Sequence, residues 1–278
     1  MSTASASLEY ASSCCLPTSW VELPLLTVRQ HNHDSTIFRF GLPEGRNSLD
    51  LPVCACLLLR APGATPEDED VVRPYTPIAA EAGSFDLLVK RYEQGKASRY
   101  LHDLAPGETV GFKHIAKNVK TQHPFSYRQI TMIAGGTGIT PMFQALSQMF
   151  GAAEDSESQL DHTEVALLYG SATEADILLR DELDELARRA GGRLRVHHVV
   201  GRSPDDRPKG WTGECGWVDS EKVARLGLSP TADGSSAAFV CGLPALYDTM
   251  CGPRDEDGLR AGTVLHRLGY AAADVVKF

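Results

Sequence analysis

The first half of the chain consists of short apolar runs separated by turn residues. Between residues 21 and 128 these runs are strand-sized, and Gly, Pro, Asn and Asp recur between them. Such a pattern is typical of an antiparallel β-barrel or sandwich. The amphipathic stretch "ASRYLHDL" (97–104) predicts one short helix among the strands. The predicted strands are "WVELPLLTVRQ", "STIFRFGL", "VCACLLLR", "GSFDLLVKRY" and "ETVGFKHI".

From residue 129 onward, predicted strands and helices alternate. The strand-length apolar runs are "QITMIAGG", "EVALLYGS", "RLRVHHVVG" and "AAFVCGLP". Helices are predicted over "PMFQALSQMF", "EADILLRDELDELARRA" and "ALYDTMC". The first of these helices has a predicted buried face of Met142, Ala145, Leu146, Met149 and Phe150. Such alternation predicts a parallel sheet with right-handed crossovers, whose ligands bind beyond the carboxyl ends of the strands.

The change of pattern divides the chain into three parts. Residues 1–20 have neither the basic region nor the apolar region of a signal peptide, so we expect a flexible N-terminal tail. The antiparallel pattern predicts a domain over residues 21–128. The alternating pattern predicts an α/β domain over residues 129–278. Each domain is long enough for a hydrophobic core of its own.

Composition narrows the class of protein. The 278-residue chain is 42% hydrophobic and 23% charged, which indicates a soluble globular protein. Its formal net charge of -9 argues against a nucleic-acid-binding protein, which would carry a basic surplus. No run approaches the roughly 20 apolar residues of a membrane-spanning helix. The seven cysteines, an odd number without framework spacing, predict reduced thiols and a cytoplasmic location.

The segment "RPYTPI" (73–78) places Arg, Tyr and Thr between two prolines. Each proline fixes its own φ and keeps the preceding residue out of the helical region, so the segment is predicted to be extended. In a strand, Arg73 and Tyr75 would share one face and Thr76 would point to the other. The residues alone fit an edge strand with a surface tyrosine as well as a ligand-binding segment.

Two strand-to-helix turns fall at the expected nucleotide edge of the sheet. In "AGGTGITPM" (134–142), Thr140 is the predicted helix N-cap, and the glycines would let the backbone approach a phosphate. In "VCGLPAL" (240–246), Cys241 ends a strand at the same edge. A third turn, "GKASRYL" (95–101), offers backbone amides and a lysine at a helix start. Each turn also has a purely structural explanation. The glycines of 134–142 would serve packing alone, Cys241 would be a small buried thiol, and 95–101 would begin an ordinary surface helix.

The motifs "RPYTP", "GKxSxYL", "GGTGITPM" and "CGxP", in this order, resemble those of the NADH–cytochrome b5 reductase family within the ferredoxin-reductase superfamily. The resemblance extends from the first predicted strand to Phe278. It implies an antiparallel six-stranded Greek-key β-barrel that binds FAD, followed by an α/β parallel-sheet, Rossmann-like domain that binds NADH. It also implies an enzyme that takes a hydride from NADH and passes single electrons to a haem protein such as cytochrome b5.

The resemblance implies roles for individual residues. Arg73 would contact the FAD phosphates, and Tyr75 would pack against the flavin. The expected catalytic residues are Thr76, whose hydroxyl would lie near flavin N5, and Cys241, beside the nicotinamide ring. The pyrophosphate loop would comprise Gly95, Lys96, Ala97 and Ser98. The other expected cofactor contacts are Pro74, Lys90, Tyr92, Gly135, Gly136, Thr137, Thr140, Gly242 and Pro244.

The chain departs from the family pattern at several places. The usual Gly-Gln-His is "CAC" (54–56), and the usual CGPP is "CGLP", with Leu243 in place of proline. NADH-selective relatives carry an aspartate where Gly201 stands, which is followed here by Arg202. An acidic side chain at that position would repel the 2′-phosphate of NADPH. We therefore expect NADH as the cofactor, with NADPH tolerated.

Two other functions fit parts of the same pattern. One is a reductase component that serves another acceptor, of the oxygenase or nitrate-reductase type. A fused version is disfavoured, because the sequence has neither a Cx4CxxC iron–sulfur motif nor an HPGG haem motif. The other is a redox-inactive nucleotide-binding regulator, which the departures at residues 54–56, 201 and 243 would accommodate.

The stretch from Val110 to Ile130 contains no acidic residue in an otherwise acidic chain. Its positive charges favour docking of cytochrome b5 or a similar small haem protein ringed with carboxylates. A solvated linker would show the same charges. We expect a cytoplasmic monomer, peripheral to a membrane only through its partner. The charged side chains of the stretch are Lys113, Lys117, Lys120 and Arg128.

Overall fold

The N-terminal half of the molecule is an antiparallel sheet. The computed structural model describes residues 14–63, 65, 68–115, 121, 125–151, 162–201 and 207–278. Helix α1 (Lys96–Asp103) connects the last two strands of this sheet. The strands are β1 (Val21–Gln30), β2 (Ser35–Gly41), β3 (Leu57–Ala61), β4 (Val71–Tyr75), β5 (Ala79–Glu81), β6 (Ser84–Lys90) and β7 (Thr109–His114).

This antiparallel sheet curls until its two edges meet. The strand order is β4-β3-β7-β1-β2-β6-β5, so β4 and β5 lie at opposite edges. The chain nevertheless passes from Tyr75 in β4 to Ala79 in β5 through residues 76–78. Four Cα steps reach at most about 15 Å, whereas six interstrand spacings of a flat sheet would span roughly 29 Å. Residues 76–78 therefore form the seam of a barrel.

Aromatic side chains fill the inside of the barrel. Phe38 and Phe40 of β2, Phe85 of β6 and Phe112 of β7 are almost fully buried. The ring of Phe112 meets Phe40 and Phe85 edge-on, with centroids 4.8 and 5.4 Å apart. Edge-to-face contacts add to the stabilisation that burial alone provides. This core holds the strand ends that lead into the seam and into α1.

The described part of the C-terminal half contains a six-stranded parallel sheet of order β11-β10-β9-β8-β12-β13. The chain moves outward from β8 in one direction and then returns to the other side of β8 with β12. The carboxyl ends of these two strands therefore flank the switch point where ligands bind. The strands are β8 (Gln129–Gly135), β9 (Glu164–Ser171), β10 (Leu194–Val200), β11 (Glu214–Cys215), β12 (Ser236–Cys241) and β13 (Val275–Lys277).

Helices cover both faces of the parallel sheet. One apolar cluster includes residues of α2 and α3, and another includes residues of α4, α5 and α6. The predicted face of α2 is confirmed, because all five of its residues are buried. The first cluster also contains Ile37, Cys54 and Leu88 of the barrel, so the two halves share an apolar contact. The helices are α2 (Ile139–Phe150), α3 (Arg180–Arg189), α4 (Ser220–Leu226), α5 (Pro244–Met250) and α6 (Val264–Arg267).

The predicted fold class, an antiparallel barrel followed by a parallel α/β sheet, is confirmed. The described barrel sheet has a seventh strand because the short β5 pairs with β6. Among the residues that the structure describes, no helix combines the length and apolarity needed to cross a membrane.

Three local predictions are wrong. The strand predicted over "VCACLLLR" begins at Leu57, because Cys54 lies in a turn with a φ of 65°. The long helix predicted after β9 is interrupted, because Leu179 has a φ of 56° and α3 starts after it. Thr140 is not an N-cap, because a 3-10 turn runs directly into α2 and leaves Gly138 as the N-cap.

Candidate functional site

A cleft lies between the barrel seam and the switch point of the parallel sheet. Its barrel wall comprises the ends of β4 and β6 and the turn that contains Cys54 and Cys56. Its other wall comprises the glycine turn after β8 and the cysteine turn after β12. The predicted site residues that line it are Pro74, Tyr75, Thr76, Lys90, Tyr92, Gly135, Thr137, Thr140, Cys241 and Gly242. The predicted residues outside the lining are Arg73, Gly95, Lys96, Ala97, Ser98, Gly136 and Pro244.

The glycine turn and the cysteine turn touch through their backbones. A Cβ on Gly138 would lie 2.2 Å from the carbonyl oxygen of Cys241, closer than any real contact. A Cβ on Gly242 would lie 2.6 Å from a methyl group of Leu246. Glycine is required at position 138 because the close atoms there are backbone atoms, whereas a side chain at position 242 would first displace the end of the Leu246 side chain. The junction brings Cys241 to the start of α2.

Hydroxyl groups fix the glycine turn to both halves of the molecule. The Tyr169 hydroxyl donates to the carbonyl oxygen of Gly136 at 3.0 Å and accepts from the Leu178 N–H at 3.2 Å. Burial raises the pKa of Tyr169, so its hydroxyl stays protonated and able to donate. On the barrel side, the hydroxyl oxygens of Tyr92 and Thr137 lie 3.4 Å apart. The turn is therefore held in place from two directions.

The predicted pyrophosphate loop is the first turn of α1. The N-cap is Gly95, and the Ser98 hydroxyl is engaged within the loop. It accepts from the Tyr92 N–H at 3.2 Å and donates to the Gly95 carbonyl at 3.1 Å. Backbone N–H groups of a first helical turn have no partner within the helix, and the positive end of the helix dipole attracts anions. Anion binding here would rest on these N–H groups and the exposed Lys96.

Two carboxylates hold the Lys90 ammonium at the edge of the cleft. Its Nζ lies 2.6 Å from Asp34 Oδ2 and 2.9 Å from Asp176 Oδ1. Partial burial disfavours the charged form, but these carboxylates raise the pKa of Lys90 overall. Asp176 follows β9, so this ion pair joins the barrel to the parallel-sheet half. Lys90 therefore lines the cleft with its positive charge compensated by two carboxylates.

Cys241 is a neutral thiol. Burial raises its pKa to about 11, although the nearby Tyr247 hydroxyl and Arg254 act in the opposite direction. A thiol with so high a pKa is almost entirely protonated at neutral pH and is a poor nucleophile. The Tyr247 hydroxyl in turn donates to the backbone carbonyl of Phe278. This environment suits contact with a planar ring better than covalent chemistry.

Arg73 lies outside the cleft lining, on the exposed surface of β4. Its Nη1 donates to the carbonyl oxygen of Val72 at 2.8 Å. No carboxylate within the described ranges forms an ion pair with it. Its remaining guanidinium donors suit phosphate oxygens. Two residues further on, burial raises the pKa of Tyr75 to about 12, so its ring is part of the cleft wall in neutral form.

The sequence motifs do not account for the whole cleft wall. Tyr247 lies six residues after Cys241, and the helical pattern of α5 could have placed it on the same side. Arg254 and Phe278 carry no local signal, because the chain beyond α5 returns them to the cleft through a loop and β13. The lining residues outside the predicted set are Cys54, Cys56, Leu88, Val89, Gly138, Pro141, Leu243, Tyr247, Arg254 and Phe278.

The composition of the walls fits two planar rings with phosphate groups at their ends. Leu88, Val89 and Pro74 supply apolar surface. The junction at Gly138 and Gly242 keeps side chains out of the space beside Cys241. The first-turn N–H groups of α1 supply an anion-binding position beside the barrel wall, just outside the cleft lining. A flavin on the barrel side and a nicotinamide on the sheet side match this arrangement.

Comparison with known proteins supports this assignment. The oxidoreductase FAD-binding domain profile matches residues 22–119, and the oxidoreductase NAD-binding domain profile matches residues 132–252. NADH-cytochrome b5 reductase 2 of Yarrowia lipolytica is 35% identical over 264 residues, which cover 93% of this chain and 86% of the relative. NADH-cytochrome b5 reductase 1 of Lodderomyces elongisporus is 36% identical, with coverage of 86% and 75%.

A solved structure of a cytochrome b5 reductase domain is also similar to this chain. The cytochrome b5 reductase domain of Ulva prolifera nitrate reductase matches with a TM-score of 0.74 and 29% identity, covering 94% of this chain and 98% of that chain. Fold, cleft and comparisons together define a flavin- and nicotinamide-dependent oxidoreductase. The chain belongs to the NADH–cytochrome b5 reductase family, and its cofactors are FAD and NADH.

Proposed function

We propose that the protein takes a hydride from NADH and passes electrons one at a time to cytochrome b5 or a similar small haem protein. The observation that carries the proposal is the cleft with its two unlike walls. The expected flavin contacts Tyr75 and Thr76 line one wall, and the expected nicotinamide contacts Thr137 and Cys241 line the other. When bound, FAD supplies the step from two-electron to one-electron transfer.

The chain's own residues bind and orient in this proposal. Arg73 and the amides at the start of α1 hold phosphate, and the Thr76 hydroxyl offers a hydrogen bond at the flavin edge. Cys241 provides an uncharged contact beside the nicotinamide. The ion pair of Lys90 with Asp176 holds the two walls together. Orientation of two reactants in this way can replace much of the entropic cost of bringing them together.

The acceptor is the finer part of the proposal. Support comes from the relatives, whose names specify cytochrome b5 as the acceptor. The basic stretch adds a docking hypothesis. Lys117 and Lys120 lie outside the described residues. Of the other two, Lys113 has its ammonium 4.7 Å from the centre of the Trp20 ring, and Arg128 is exposed.

We place the enzyme in the cytoplasm as a monomer that meets a membrane only through its partner. All seven cysteines lie in described parts of the chain and are free thiols, as a reducing compartment requires. Sedimentation equilibrium of the FAD-loaded protein would test whether it is a monomer, since a dimer would have twice the molar mass.

Turnover with NADH against cytochrome b5, cytochrome c and ferricyanide tests the acceptor. We expect kcat/KM to be highest for cytochrome b5 and to fall as ionic strength rises, because salt screens attraction between charged surfaces beyond about 8 Å. Ferricyanide serves as the control, since its reduction reports the flavin alone. Ferricyanide turnover without enzyme-dependent reduction of cytochrome b5 would contradict the proposed acceptor.

A further inference from the structure

The side-chain amide of Gln144 links helix α2 to two separate segments of the barrel. Its Oε1 accepts from the Cys54 N–H at 2.5 Å, and its Nε2 donates to the Pro77 carbonyl oxygen at 3.3 Å. The partners are 90 and 67 residues away along the chain. Gln144 is partly buried, so these bonds are shielded from water and correspondingly stronger.

The two barrel segments contribute to the barrel wall of the cleft. Cys54 lines it at one place, and Thr76, the neighbour of Pro77, lines it at another. Cys54 has a φ of 65°, a conformation that residues other than glycine adopt only when surrounding contacts impose it. The bond from its N–H to Gln144 is one such contact. A second is the weak bond from the Cys54 thiol to the Pro141 carbonyl oxygen at 3.9 Å.

A carboxamide is the side-chain group that these partners require. The Cys54 N–H needs an acceptor, and the Pro77 carbonyl needs a donor. Glutamate would accept but not donate, and leucine would do neither. Helix α2 begins at the glycine turn, five residues before Gln144. The start of α2 is therefore part of the sheet-side wall of the cleft, and the same helix is hydrogen-bonded to the barrel through Gln144.

We propose that Gln144 is a positioning residue for hydride transfer. It fixes the Cys54 turn and Pro77 to α2 and so sets the separation of the two walls. Gln144 does not line the cleft, so it acts through these backbone segments. Misplacement of reacting groups by about 1 Å can cost roughly 100-fold in rate. The inference rests on the proposed function, which places the flavin beside Thr76.

Two substitutions separate the two bonds, and a third is the control. Gln144→Leu removes both bonds, whereas Gln144→Glu keeps the acceptor for Cys54 and loses the donor for Pro77. Gln148→Leu is the matched control, because Gln148 lies one turn further along α2 and is exposed. Among the described residues its side chain has no hydrogen-bond partner. All three are made in the 278-residue chain.

Two measurements read out these variants. Amide hydrogen exchange of the peptide that contains Cys54 reports the bond in the absence of cofactors. We expect faster exchange in Gln144→Leu and slow exchange in Gln144→Glu. Stopped-flow reduction of the FAD-loaded protein by NADH reports the positioning. The limiting rate should fall about tenfold or more in Gln144→Leu and by a smaller factor in Gln144→Glu. The NADH concentration for half-maximal rate should change less than about threefold.

The outcomes distinguish this role from a purely structural one. Faster exchange at Cys54 in Gln144→Leu with a limiting rate equal to that of Gln148→Leu would overturn the role. If Gln144→Leu does not fold or bind FAD, Gln144→Glu decides, and an unchanged limiting rate in it would overturn the role as well. A parent protein that binds FAD but is not reduced by NADH would refute the proposed function, and this role with it.

Discussion

Gly138 shows how a single residue determines the junction of the two turns. Its φ of -63° is ordinary, so the contact with Cys241, and not the backbone conformation, excludes a side chain. Gly138→Ala should push the turns apart and lower the free energy of unfolding by about 1–3 kcal/mol, as overpacking does. Urea denaturation measures this change. Gly170→Ala is the control, because its Cβ would meet its nearest neighbour at 3.4 Å. Equal stability of the two variants would contradict the claim that close contact with the Cys241 backbone excludes a side chain at Gly138.

Gly201 is the residue at which we expect cofactor selectivity to respond. A Cβ there would lie 3.4 Å from the Ala172 carbonyl oxygen, which leaves room for a side chain. Gly201→Asp should raise the ratio of kcat/KM for NADH over NADPH about tenfold, or about 1.4 kcal/mol, because the carboxylate repels a 2′-phosphate. Gly201→Asn adds similar bulk without charge and should leave the ratio near that of the parent. Equal ratios in both variants would place selectivity elsewhere.

At the residue scale, the sequence indicates residue types but not their partners. The motif that contains Ser98 predicted a phosphate loop, but it gave no sign that the Ser98 hydroxyl bonds to Tyr92 and Gly95. The helical pattern of α2 correctly predicted its buried face. It carried no sign that the intervening Gln144 bonds to Cys54, because that partner is 90 residues away.

At the scale of elements, the structure differs from the local pattern where the two halves meet. The predicted helix after β9 breaks at Leu179, whose N–H donates to Nε2 of His31 in the barrel at 3.1 Å. The strand predicted around Cys54 is a turn, whose N–H bonds to Gln144 of α2. Strands and helices that pack within one half follow their periodicity. These two segments do not, because partners in the other half determine their conformation.

The ion pair between β6 and the loop after β9 gives a prediction at this scale. Burial alone would raise the pKa of Asp176, but hydrogen bonds from Thr173 and Lys90 hold it below its usual value. A lowered pKa contributes stability that is present above the unfolded value and is lost as pH falls through the folded value. Lys90→Met should therefore cost about 1–3 kcal/mol near pH 7, after allowance for partial exposure, and less below about pH 4.

Urea midpoints measured across pH test this expectation. The parent and Lys90→Met curves should converge at acid pH. Lys209→Met is the control, because Lys209 is exposed and has no ion-pair partner within the described residues. Parent and Lys90→Met curves that stay parallel down to acid pH would show that the pair does not stabilise the fold through Asp176.

At the scale of the whole molecule, a small set of contacts places the barrel against the parallel sheet. The turn between β1 and β2 contributes His31 and Asn32, whose Nδ2 donates to the Ala175 carbonyl at 3.0 Å. Lys90 and Gln144 add the ion pair and the amide bridge. Together these contacts join the two halves of the molecule that form the cleft walls. The domain limits of 21–128 and 129–278 remain a prediction.

Anaerobic titration of the FAD-loaded protein with NADH tests the central claim, that the cleft brings nicotinamide and flavin together. About one equivalent of NADH should bleach the flavin absorbance, because one hydride reduces one flavin. Addition of oxidised cytochrome b5 should then restore the absorbance while about two equivalents of haem are reduced. Retention of FAD with no bleaching by excess NADH would contradict the account.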